Sequence, residues 1–102
     1  MVEPMQVSGR TEQQVIDILG SAFKPLVCEV ERSSGDFELH FQFRVVWPDG
    51  SVIIECPGPG KDWYPFSGLQ NNDTDLTNFV NHARDLVEKK TATKLDSWQL
   101  PP

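Results

Sequence analysis

Phe37-Glu38-Leu39-His40-Phe41-Gln42-Phe43-Arg44-Val45 decides the fold class of this chain. Apolar and polar residues alternate without a break along the segment. That is the period of a β-strand with one face buried and the other in water. Phe37, Leu39, Phe41, Phe43 and Val45 therefore belong to a buried face, and Glu38, His40, Gln42 and Arg44 to a solvent face.

Strands are expected on either side of this one. Residues 26–32 carry Cys28 and Val30 on one side and Glu29 and Glu31 on the other, and Ser33-Ser34-Gly35-Asp36 reads as a turn. The central strand runs over 37–47. Pro48-Asp49-Gly50 is a second turn, with proline presetting φ and glycine accepting a positive one. Residues 51–56 form a third strand, ended by Pro57-Gly58-Pro59-Gly60. The prolines and the lack of a following Gly-Lys-Ser/Thr argue against a phosphate-cradling loop there.

Loop lengths give an expected register. A four-residue first loop sets Glu31 opposite Glu38, Glu29 opposite His40 and Cys28 opposite Phe41. A two-residue second loop sets Phe41 opposite Cys56 and Phe43 opposite Ile54, keeping the apolar residues on one side. Pro-Asp-Gly is commoner in a three-residue loop with a glycine bulge, which would set Glu55 opposite Phe43. The apolar pattern favours the two-residue loop, and a bulge near Val45-Val46-Trp47 would reconcile the two.

Helices flank the strands. Thr11 with Gln14 forms a capping box, Val15, Ile18, Leu19 and Ala22 follow at helical spacing, and Pro25 limits the helix to about 11–23. Leu76, Phe79, Val80, Ala83, Leu86 and Val87 give a second helix, with Lys89 and Lys90 at the negative end of its dipole. Phe79 should meet Phe41 or Phe43. Residues 1–10 read as a loose arm and 91–102 as a tail outside a folded core at 11–90. Leu95, Trp98 and Leu100 of that tail are expected to matter more for association than for the fold. They would cover Val46 and Ile53 on the outer sheet face, from the same chain or from a second copy.

The expected fold is α+β, one domain in the order α-β-β-β-α: a two-layer sandwich of a three-stranded antiparallel meander with two helices on one face. This order resembles that of double-stranded RNA-binding domains. Those domains need a lysine cluster at the start of the second helix, where this chain has Asn72-Asp73-Thr74-Asp75. RNA binding is therefore not expected.

The 102 residues suit one domain, and 15 acidic against 9 basic residues leave a net charge of −6. That sign disfavours nucleic acid and favours a basic protein partner. No run approaches the length of a membrane helix, and the first ten residues have no apolar run of a signal peptide. The reading is a soluble cytoplasmic protein with free thiols at Cys28 and Cys56. The two cysteines should flank Phe41 from opposite sides, too far apart for a disulfide.

The candidate chemistry is sparse. The two cysteines and two histidines lack metal-ligand spacing, so no metal and no cofactor are expected. His40 beside Glu29, and His82 with Asp85 and Glu88, read as surface pairs rather than catalytic ones, with no nucleophile beside them. Trp63, Tyr64 and Phe66 sit among glycine and proline on a loop at 61–70, a composition common in docking surfaces. The expected function is a small acidic, non-enzymatic interaction module (adaptor, inhibitor or regulator). Its expected contacts are Glu29, Glu31, Glu38, His40, Arg44, Glu55, Trp63, Tyr64, Phe66 and Trp98. The alternative is a small-ligand-binding domain with its pocket beside the loop at 63–66.

Overall fold

The computed structural model describes residues 9–34, 39–58 and 60–101. Their elements are α1 (Glu12–Ser21), β1 (Val27–Ser34), β2 (Leu39–Val46), β3 (Val52–Cys56), β4 (Tyr64–Pro65), α2 (Phe66–Gln70) and α3 (Asp73–Thr91). The fold is α+β, with helices packed against an antiparallel meander in the spatial order β1-β2-β3. Two elements go beyond the expected order, because residues 61–70 are not a plain loop. There β4 pairs with β2, Tyr64 opposite Phe41 and Pro65 opposite His40, and α2 follows at once.

Local chemistry sets the helix ends. Thr11 and Gln14 cap each other reciprocally, the backbone N–H groups donating over 2.8 and 3.1 Å. Asn72 accepts from the Asp75 N–H, and Asp73 and Asp75 face the positive end of the α3 dipole. Ala92 closes α3 in the left-handed region at φ 54, its N–H bonded to the Glu88 carbonyl.

The register differs from the expected one in both hairpins. In the first, Glu29 lies opposite Arg44, Val30 opposite Phe43 and Cys28 opposite Val45. Relative to expectation the pairing has slid by four residues, so every side chain keeps its face but changes its partner. In the second, the turn chemistry prevails. Trp47 N–H bonds the Ser51 carbonyl and Gly50 N–H the Trp47 carbonyl, closing a three-residue Pro-Asp-Gly loop with Gly50 at φ 94. The Ser51 hydroxyl and N–H both donate to Asp49 and hold its carboxyl below the ordinary range. A further shift between Val45 and Val46 then sets Val45 opposite Ile54 and Phe43 opposite Cys56. This bulge turns Ile53 into the core, contrary to its expected outward position.

The core lies between the sheet and the helices. Phe41 is at its centre, with ring centroids 4.6 Å from Phe66, 5.6 Å from Tyr64, 6.1 Å from Phe79 and 6.4 Å from Phe43. Phe79 meets Phe41 and Phe43 edge-on, as its place in the helical stripe predicts. Both cysteines are free. They stand on the core side beside different β2 residues, Val45 and Phe43, rather than flanking Phe41.

The C-terminal segment belongs to this core instead of covering the outer face. Leu95 is buried in the cluster, with Trp98 and Leu100 packed against it. Asp96 N–H donates to the Lys24 carbonyl at one end of α1, and Arg10 donates to the Pro101 carbonyl at the other, so the segment runs antiparallel to α1. Arg84 pins it by donating to the Ala22 and Asp96 carbonyls. Arg10 is also held by Asp73, at 3.0 Å, and by backbone pairing with Gln70. The rest of the expected arm, residues 1–8, lies outside the described residues.

Candidate functional site

Alternation along β1, β2 and β3 places one set of side chains on the face away from the helices. Three rows cross it. Glu29, Arg44 and Glu55 form the central row, Glu31 and Gln42 the next, and Val27, Val46 and Val52 the row on the other side. Arg44 is the hub: its Nε lies 3.4 Å from Glu29 and its Nη2 2.9 Å from Glu31. Gln42 donates to the other Glu31 oxygen over 3.1 Å. The carboxylates of Glu29 and Glu31 remain about half exposed around this shared guanidinium. Glu55 is the cross-strand neighbour of Arg44 on β3 and adds a third carboxylate to this row. Three carboxylates against one base leave the central patch negative.

The valine row was hidden from the alternation rule. Val46 is 3% exposed and stands apart from the core cluster, while Val27 and Val52 beside it are 47% and 53% exposed. Trp47 continues the apolar edge into the turn, more than one third exposed. The signal that points to this row is the Pro-Asp-Gly turn, whose bulge register brings Val52 rather than Ile53 alongside Val46.

The sequence candidates divide. Glu29, Glu31, Arg44 and Glu55 come together. His40 lies opposite Ser33 and Pro65 rather than Glu29, so the expected His40–Glu29 pair is not assembled. Arg32 stands off the acidic face: it is opposite Phe41 and reaches α1, 2.8 Å from Glu12. Glu38 lies outside the described residues. The aromatic loop folds inward. Phe66 is 1% exposed in the core, Tyr64 packs on Phe41 and Phe79, and Trp63 is half-buried. Trp98 packs against the core from the tail. The set on α3 also splits, since Asp85 pairs with Lys89 at 3.0 Å and Glu88 accepts from the Leu95 N–H.

Two apolar clefts flank the edge-on Tyr64–Phe79 pair, whose centroids are 5.0 Å apart. One, of about 210 Å³, is lined by Pro65, Leu69 and Asp75. The other, of about 200 Å³, is lined by Phe43, Cys56, His82 and Leu86. Burial pushes the Cys28 thiol up to about 12, with smaller contributions from Cys56 and Glu29. Burial and Glu55 raise Cys56 as well. Both thiols are thus protonated near neutrality and poor nucleophiles. Among the described residues no three His, Cys, Asp or Glu side chains converge as metal ligands. No helix among them is long and apolar enough to cross a membrane. No family model, curated protein or solved structure matches this chain.

Proposed function

We propose that this chain is a small non-enzymatic interaction module, working in the cytoplasm, that receives a basic protein partner on the outer face of its sheet. One observation carries the reading: Glu29 and Glu31 share the guanidinium of Arg44, Glu55 is the cross-strand neighbour of Arg44 on β3, and the exposed Val27 and Val52 lie beside them. An apolar strip bordered by charge has the composition of a docking surface. The sign of the patch selects cationic groups on the partner. Free, partly buried thiols suit a reducing compartment.

The test is capture from source lysate at low and high salt, with the triple variant Glu29→Lys/Glu31→Lys/Glu55→Lys as control. The reading predicts a basic protein retained by the natural chain, released by salt and not retained by the variant. Equal capture by both proteins contradicts it.

A second reading, a small-ligand site, rests on the paired clefts at Tyr64 and Phe79. Each is smaller than the ~300 Å³ at which ligand pockets usually begin, so it ranks below the first. A ligand-dependent rise in melting temperature, abolished by filling the cleft with Gly68→Leu, would reverse that ranking.

A further inference from the structure

We infer that the partner engages through an extended segment of alternating basic and apolar residues, which adds to the sheet as a new strand along the outer edge of β1. This rests on the interaction reading and specifies the form the partner takes. The sheet runs β1-β2-β3, and β4 joins β2 on the same side as β3, so β1 closes the opposite edge. It is eight residues long, Val27–Ser34. Among the described residues its backbone pairs with β2 alone, with no turn or loop bonded to its outward groups. A strand of that length with a free row of N–H and C=O groups is a template for another strand.

The side chains decide which strand. Charge disfavours a second copy. Antiparallel self-pairing centred on Val30 sets Glu29 against Glu31 in both directions, and centring on Glu31 sets it against itself. The same carboxylates select a base at alternate positions. Between them, Cys28 and Val30 sit half-buried at the rim of the core. Ile16 is half-buried at the same rim, one turn along α1 from the Glu12 that reaches Arg32 on β1. A strand opposite residues 28–31 would therefore place apolar residues beside Cys28 and Val30, extending the core, and basic ones beside Glu29 and Glu31.

The probe is a blocked peptide, Thr-Lys-Val-Lys-Val-Lys-Thr, titrated into the full chain. Two controls accompany it: a scrambled order, and a copy N-methylated at the valines and threonines, which keeps the charge but loses alternate backbone donors. The proposal predicts binding of the alternating peptide about tenfold tighter than either control, with slowed exchange of alternate amides within 27–34. It also predicts loss of binding in Glu29→Lys/Glu31→Lys and a monomeric chain in sedimentation without peptide. If both controls bind equally well and β1 exchange is unchanged, while charge reversal still abolishes binding, the strand proposal fails and the interaction reading stands. If charge reversal changes nothing, both fail. A dimer that protects β1 without peptide overturns the proposal in favour of a second copy.

Discussion

The two faces of β2 differ in what holds them. On one, Phe41, Phe43 and Val45 are buried to 1% or less and locked among the rings of Phe23, Phe66, Tyr64 and Phe79. On the other, Gln42 and Arg44 lie in partial contact with water, tied to carboxylates of the neighbouring strand. Burial of aromatic area contributes kilocalories per residue, whereas exposed ion pairs contribute tenths. The inner face therefore fixes the structure. The outer face is free to carry a charge pattern for a partner, because little stability depends on it.

Breaking the inner face should have the largest effects. Truncation after Lys90 removes Leu95, Trp98 and Leu100 from the core, together with the hydrogen bonds of Asp96 to Lys24 and Arg84 and of Pro101 to Arg10. The truncated protein should lose its cooperative melt and near-ultraviolet signal, and retention of both would show the segment to be an accessory. Phe41→Ala should cost roughly 3–5 kcal/mol by denaturant unfolding, since four rings lose their common neighbour. Phe79→Ala, at a half-buried position, should cost about 2 kcal/mol.

Two smaller effects sharpen the contrast. The Cys28 thiol ionises only near 12 in the folded chain, against 9.0 ordinarily. Between those values the unfolded state loses the proton and the folded state keeps it, so stability falls as pH rises from about 9. A Cys28→Ala chain should show a shallower fall over that window, measured as unfolding free energy against pH. On the outer face Arg44→Ala should change stability by less than ~1 kcal/mol, while sharply altering the salt dependence of partner binding.

Much of this division was legible in the sequence, for a physical reason. Alternation along 40–45 assigns each β2 side chain to a face, and the capping box and apolar spacing place α1 and α3; Leu39, at the end of the strand, is 38% exposed instead of buried, and Phe37 lies outside the described residues. Partners were harder to read. A slip of four residues in the first hairpin leaves every face assignment intact, so the apolar pattern is silent about it. Glu29 thus met Arg44 instead of His40. In the second hairpin the glycine at positive φ outweighed the pattern, and the resulting bulge buried Ile53 and exposed Val52. The place of the tail is not legible in the sequence, because Leu95, Trp98 and Leu100 lack periodicity. They are held along α1 by backbone and arginine hydrogen bonds that no hydrophobic spacing announces.

In the proposed division of labour the outer face binds the partner and the inner face holds the fold. The direct measurement is an amide chemical-shift map of the labelled chain titrated with the alternating lysine–valine peptide. Perturbations are expected along β1 and at Arg44 and Glu55, with Tyr64, Phe79 and Leu86 unmoved. Shifts confined to the clefts around Tyr64 and Phe79, with β1 silent, would contradict it.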